Sequence, residues 1–262
     1  MQMRKFKVRM QRINHVFITH LHGDHYLGLM GFISSMHLLG RKAKLHVFGP
    51  AELWEIIQIQ LKASSTFLVY EIEFHPVSMD EKQLVFEDKT IRAYSFPMKH
   101  RIPCCGYLFE EKERKPKIKK EEIDRYKLQP SQIIALKNGV DVTLENGQVV
   151  SADQVSIPAE ALRSYAYCSD TAYSEKVMDA VRGVTTIYHE STFLDSEKER
   201  AKETFHSTAK QAATVAKNVG ATKLILGHFS SRYTDDNEFL VEAKTQFDHA
   251  ILADEGMIIH IE

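Results

Sequence analysis

Short apolar, β-branched runs alternate with stretches of helical period along most of this chain. Residues 14–19, with His-Val-Phe-Ile-Thr at their heart, have the character of a buried strand. From Tyr26 onward Leu27, Met30, Ile33, Met36 and Leu39 recur at helical spacing until Gly40, so residues 20–25 fall at a strand-to-helix junction. A strand at 44–48 follows, and Gly49-Pro50 opens a helix through about residue 63, with proline at the favoured first turn. Strands are expected at 69–74, 90–98 and 106–110. Periodicity then fades over 112–158, where only 141–150 carries a hairpin pattern, around Asn146-Gly147. Order returns with strands at 165–169, 185–189, 223–227, 250–253 and 257–261, and with helices at 174–181, 207–219 and 237–246. The alternation predicts an α/β protein.

At 262 residues with no long Pro, Gly or Ser-rich break, one domain spanning 1–262 is expected, carrying a charged insertion at about 111–158. The 34 basic and 35 acidic residues nearly cancel, so any nucleic-acid surface must be local. Two stretches qualify. Arg4, Lys5, Lys7, Arg9 and Arg12 precede any acid, and residues 112–127 hold eight basic against four acidic side chains. Cys104, Cys105 and Cys168 are odd in number and lack metal spacing, which argues against a disulfide framework and for a reducing, cytoplasmic setting. No apolar run is long enough for a membrane span, and no membrane association is expected.

The decisive chemistry is His20-Leu21-His22-Gly23-Asp24-His25, which crowds three imidazoles and a carboxylate onto one strand-end segment. Imidazole with carboxylate favours Zn²⁺ or a similar borderline ion over the all-oxygen sites of Ca²⁺ and Mg²⁺. Four such groups cannot all serve one tetrahedral ion and leave a position open, so two adjacent ions and further ligands are expected. His100, Asp170 and His228 each follow an expected strand. Singly each is as readily a cap or a surface residue; together with the histidine run they form a candidate ligand set.

This His-x-His-x-Asp-His run, with His100, Ser169-Asp170-Thr171 and His228, resembles the metallo-β-lactamase superfamily, whose fold is a four-layer αββα sandwich. Residues 189–193 (His-Glu-Ser-Thr-Phe), 206–209 (His-Ser-Thr-Ala) and 227–233 (Gly-His-Phe-Ser-Ser-Arg-Tyr) are similar within it to ribonuclease Z, which trims 3′ trailers from precursor tRNA. The resemblance implies two zinc ions. His20, His22 and His100 would hold one, Asp24, His25 and His228 the other, and Asp170 would bridge. It further implies Asp24 as acceptor of the water proton, His206 as the acid protonating the departing 3′-oxygen, and Glu190 as the partner of His206. The products would be a 3′-hydroxyl and a 5′-phosphate.

Ser230, Ser231 and Arg232 are candidate phosphate contacts, a guanidinium being able to bind two oxygens at once. The insertion falls where ribonuclease Z-like proteins carry a tRNA-clasping arm, so Lys115, Lys117, Lys119 and Lys120 are candidate RNA contacts. The expected Gly-Pro-rich tip is replaced by Gln129-Pro130-Ser131-Gln132-Ile133-Ile134. His15, His37, His46, His75, His249 and His260 match no motif and are expected to pack or face solvent. A homodimer is expected. Only 19 residues precede His20. About 45 residues of the family pattern are missing there, and the expectation is an N-terminally truncated sandwich with an unpaired sheet edge. The alternatives are another phosphodiesterase of this fold, acting on a small or cyclic nucleotide, and an inactive metal-bound RNA-binding protein.

Overall fold

The computed structural model describes residues 2–158 and 160–261. The chain divides into two compact units, one formed by residues up to Glu110 together with those from Arg163 onward, the other by Glu111–Leu162.

In the first unit, strand His15–Phe17 pairs in parallel with Leu45–Gly49, which pairs in parallel with Ile72–Pro76. Parallel neighbours need crossovers, and helices Gly23–Leu38 and Glu52–Ala63 supply them. Leu29, Phe32, Ile33 and Met36 on the first helix, with Leu53 and Ile57 on the second, form one apolar stripe each and pack with Ile18, Leu45 and Val47. The first helix starts at Gly23, a turn earlier than its apolar period indicates. Asp24 and His25 are therefore on its first turn, where the carboxylate also suits the positive end of the helix dipole.

A seven-stranded sheet, counted among the described residues, forms the second layer. Its order is Ala250–Leu252, Lys223–Gly227, Thr186–Glu190, Ser164–Cys168, Cys105–Glu111, Ile91–Pro97 and Gln83–Glu87. The first four are parallel, and Cys105–Glu111 runs antiparallel to Ser164–Cys168. Helices Glu175–Ala180, Ala209–Val219 and Asn237–Lys244 cover one face. The middle helix buries Ala209, Ala212, Ala213 and Ala216, small side chains that let its backbone approach the sheet. It is delimited by a Thr208/Gln211 capping box and by Gly220 at φ 77°. Between the two sheets Phe17, Phe48, Tyr107 and Phe109 pack together, with the Phe17 and Phe48 rings stacked at 4.6 Å. The layers are thus helix, sheet, sheet, helix, the αββα sandwich.

Three elements depart from the sequence pattern, each for lack or excess of burial. Strand Gln83–Glu87 pairs with Ile91–Pro97 through a register shift and is mostly half-exposed, which blurs its alternation. Helix Lys198–Thr204 buries only Ala201 and so has no apolar stripe to detect. Residues 257–261, expected as a strand, lie outside every sheet, with Met257 and Ile258 exposed.

The second unit has its own core of Ile118, Leu128, Leu136, Val150, Ala152 and Val155. Lys117–Ile118 pairs with Ser156–Ile157, and Val142–Thr143 with Val149–Val150 around Gly147, whose φ of 81° suits the turn. Helices Lys120–Tyr126, Pro130–Lys137 and Ala152–Val155 complete it. The hairpin is legible in the sequence; the helices, of four to eight residues, are too short to set up a period.

Ile33 is fully buried and Ile59 is 58% exposed. Replacing Ile33 with Ala is expected to cost about 2–5 kcal/mol in chemical denaturation, while Ile59→Ala stays within about 0.5 kcal/mol. Equal effects would mean that the helix Gly23–Leu38 does not pack as described.

Candidate metal centre

The end of strand His15–Phe17, the extended residues after it and the first turn of the next helix deliver four ligand-type side chains to one point. His20 Nε2 lies 3.1 Å from His22 Nδ1, and His100 Nε2 lies 3.2 Å from the same atom. On the other side Asp24 Oδ2 lies 3.3 Å from His25 Nε2. Asp170 stands between the two groups. Its Oδ2 faces His20 and His100 at 3.7 and 3.8 Å, and its Oδ1 faces His25 and His228 at 3.3 and 3.2 Å. All seven residues singled out from the sequence as ligands come together here, in the two sets His20/His22/His100/Asp170 and Asp24/His25/His228.

Metal bonds of about 2.0–2.1 Å in a tetrahedron set neighbouring ligand atoms roughly 3.3 Å apart, the spacing seen within these sets. His25 Nε2 is buried and makes no hydrogen bond, although two carboxylate oxygens lie 3.3 Å away. A buried polar atom in that position is expected to have a partner, and a cation satisfies it together with both carboxylates. Three of the donors are shifted towards the form that binds a cation. Burial, reinforced by the His25 imidazole, pushes His20 down to about 3, and burial likewise lowers His100. Burial alone would raise Asp170, but the imidazoles of His228, His25 and His20 outweigh it and hold the carboxyl below its ordinary value. The lowered imidazoles of His20 and His100 beside a carboxyl held below its ordinary value fit a metal ion, so the clusters can hold one.

The remaining ring nitrogens are anchored, which fixes the aim of each ligand. His20 Nδ1 meets Thr19 Oγ1 at 3.0 Å, His100 Nδ1 donates to Phe205 O at 3.1 Å, and His228 Nδ1 meets Thr192 Oγ1 at 2.8 Å. Asp170 and His228 hold φ of 21° and 62°, a conformation uncommon outside glycine that tight packing sustains at functional positions. Gly227 is required next to His228, because a Cβ there would overlap the Tyr188 ring.

Beside the ligands sits a polar pair. The fully buried Glu190 carboxylate accepts from His206 Nδ1 at 2.7 Å, from Thr171 N at 2.9 Å and from Thr192 Oγ1 at 2.7 Å. Burial would raise Glu190, yet the His206 hydrogen bond and charge bring it below the usual carboxylate range. Burial would lower His206, and the same bond raises it above its ordinary value. The His206 ring lies 5.3 Å from His100 and stacks on His228 at 5.4 Å.

The profile of the Beta-lactamase superfamily domain matches residues 1–117. Ribonuclease Z of Bacteroides fragilis is 42% identical over 261 residues, covering 100% of this chain and 86% of that protein. Ribonuclease Z of Cytophaga hutchinsonii is 45% identical over 240 residues, covering 91% of this chain and 76% of the other. The chain belongs to the ribonuclease Z family. The crystal structure of the short form of human tRNase Z superposes with a TM-score of 0.68 at 24% identity, covering 99% of this chain and 83% of that one, which supports the fold.

In this ribonuclease Z-family chain the other predicted residues are distributed unevenly. Arg232 Nε donates to Ser230 Oγ at 3.2 Å, its Nη1 lies 3.6 Å from Glu197 Oε2, and its guanidinium lies 4.9 Å from the Phe193 ring centre. Ser231 is exposed. Lys115, Lys117, Lys119 and Lys120 belong to the second compact unit, not to the unit of the histidines. Lys115 Nζ donates to Asn138 Oδ1 and Lys119 Nζ to the Gln154 carbonyl, while Lys117 and Lys120 are exposed. The three cysteines are free and buried, and burial pushes the Cys104 thiol up, so it stays protonated 3.6 Å from His20 Nδ1.

Two features of the site escape the sequence reading. Thr192 joins Glu190, His206 and His228. A cavity of about 280 Å³ next to His206 is lined by Lys99, Lys198 and Lys202, with Glu199, Tyr173 and Gln211. Its one sequence signal is the i, i+4 spacing of Lys198 and Lys202 just ahead of His206.

Because Glu190 raises His206, the stabilisation from this pair is complete below the unfolded imidazole value of about 6.5 and lost as pH rises through the higher folded value. In metal-free protein, Glu190→Gln is expected to lower the pH at which His206 titrates, read from its imidazole NMR signals. No shift, or an upward one, would mean that the carboxylate does not charge His206.

Proposed function

We propose that this chain is a two-zinc endoribonuclease that removes the 3′ trailer from precursor tRNA, leaving a 3′-hydroxyl on the tRNA and a 5′-phosphate on the trailer. The observation that carries the proposal is the Glu190–His206 pair, 2.7 Å apart, set against a paired ligand cluster. Relatives named ribonuclease Z, 42% identical, supply the substrate class.

His20, His22 and His100 would hold one zinc, Asp24, His25 and His228 the other, with Asp170 offering one oxygen to each. Bound there, the ions would lower the pKa of water towards neutrality and neutralise charge developing on the phosphoryl oxygens. Asp24, the most exposed carboxylate of the set, accepts the proton of the attacking water. A phosphorus–oxygen bond forms to that water as the bond to the 3′-oxygen breaks. His206 keeps Nδ1 on Glu190 and so offers Nε2 to protonate the departing 3′-oxygen. Arg232, Ser230 and Ser231 would meet flanking phosphates, and the cavity beside His206, where Lys99, Lys198 and Lys202 outnumber Glu199, would take another. The insertion lysines would meet the tRNA body. We extend the proposal to a cytoplasmic homodimer, with three free cysteines favouring a reducing compartment. No described helix is long and apolar enough to cross a membrane.

Incubation with a precursor tRNA is expected to give cleavage after the discriminator base with the stated ends. His206→Ala should cut turnover by about 10²–10⁴-fold without changing zinc content. Hydrolysis of small phosphodiesters only, or RNA binding without cleavage, would overturn the proposal; zinc loss in the variant would mean that His206 is a ligand.

Replacing Lys115, Lys117, Lys119 and Lys120 with Glu is expected to weaken precursor binding and to flatten its dependence on log salt by roughly 0.7–0.9 per lost phosphate contact. An unchanged slope would remove these lysines from the RNA surface.

A further inference from the structure

We propose that His46, Glu73 and His75 form a second, independent metal site for a divalent transition ion of the zinc class, built into the three-stranded sheet. His46 stands on strand Leu45–Gly49 and the other two on Ile72–Pro76, where Glu73 is directly opposite His46 in the register. His46 Nδ1 lies 3.1 Å from His75 Nε2, and Glu73 Oε1 lies 3.6 Å from His75 Nε2. Glu73 Oε2 lies 4.0 Å from His46 Nδ1. The first two separations fall within the 3.1 to 3.8 Å found among the ligand atoms of the first centre, and the third, at 4.0 Å, lies just outside that range. Two imidazoles and one carboxylate are a zinc-type donor set that leaves a position for water.

The rings are held ready. His75 stacks on Phe48 with centres 4.3 Å apart, and His46 stacks on His15 at 5.0 Å. His15 in turn leans on Phe86 at 4.5 Å. Both imidazoles are thereby fixed by the aromatic layer between the sheets, yet their side chains keep 28% and 32% of their exposure, enough for an ion to enter. Lys44 Nζ binds Glu73 Oε2 at 2.6 Å and Glu71 Oε1 at 3.1 Å. It holds one carboxylate oxygen and orients Glu73 so that Oε1 faces His75. The competing arrangement is a His46–His75 hydrogen bond beside a Lys44–Glu73 ion pair, with no ion at all.

His15 and His20 are five residues apart on extended chain, about 16 Å, so the site is separate from the first centre. An ion here would clamp two neighbouring parallel strands. The test compares the full chain with the His46→Gln/His75→Gln variant, each stripped by chelation, reloaded with zinc and assayed for metal content. The parent is expected to carry about one zinc equivalent more than the variant, whatever the first centre holds. Equal uptake overturns the proposal. Should the double variant fail to fold by circular dichroism, Glu73→Gln serves instead, and anomalous scattering at the zinc edge from soaked crystals of the parent decides. A peak between His46 and His75 supports the site, and its absence refutes it.

Discussion

One buried carboxylate organises the catalytic half of this molecule. Asp170 sits among four imidazoles, and its two oxygens divide them: Oδ2 looks towards His20 and His100, Oδ1 towards His25 and His228. A single negative charge in a low-dielectric pocket is costly unless cations or donors surround it, and neutral imidazoles tightly grouped are stable only if their ring nitrogens find partners. Each half therefore needs what the other lacks, and positive charge between them satisfies both. The backbone bears the cost: Asp170 and His228 hold left-handed φ angles, and Gly227 gives up any side chain to let Tyr188 pass. Ser169 Oγ donates to Asp170 Oδ1 at 2.8 Å, fixing the rotation of the carboxylate that makes the division possible.

The sandwich exists to bring those strand ends together. His20 follows the edge strand of the small sheet, while His100, Asp170 and His228 follow strands of the large one. They can meet only because the sheets face each other across the Phe17, Phe48 and Tyr107 layer. Tyr107 also donates its hydroxyl to the Ile18 carbonyl at 2.8 Å, and Cys105 N donates to the Thr19 carbonyl at 3.0 Å. The second sheet thus grips the backbone immediately ahead of His20, and packing between sheets is converted into ligand position.

Which parts of this were legible beforehand follows from the range of the forces involved. The histidine run is local: its spacing and the β-branched residues before it announce a strand end with ligands, whatever the rest of the chain does. His100, Asp170 and His228 could be found because each follows an apolar run, and strand ends on one edge converge. Thr192 could not be found, since its partners Glu190, His206 and His228 meet only after two strands and a helix have packed. Lys99, Lys198 and Lys202 share a cavity for the same reason. His46 and His75, expected as packing or surface residues, became a cluster through strand register, which sequence pattern alone leaves undetermined. The insertion's helices hid because their core is assembled from single residues of many short segments.

The proposed reaction asks imidazoles within a few ångströms of one another to behave in opposite ways. In it His20 and His100 would stay unprotonated to bind a cation, whereas His206, with its ring 5.3 Å from that of His100, would keep a proton to deliver one. Distance cannot separate these roles, so environment does. Burial and repulsion from neighbouring imidazoles lower His20 and His100, and His206 is bonded to a fully buried carboxylate. Glu190 in turn is kept ionised by donors from Thr171, Thr192 and His206, so its charge is spent locally rather than on the ligands. Pairs of like groups whose surroundings push their proton affinities apart are how one pocket carries out both halves of an acid–base reaction. Thr192, touching Glu190, His206 and His228, stands on the boundary between the two regimes, and its hydroxyl can serve both sides because it is donor and acceptor at once.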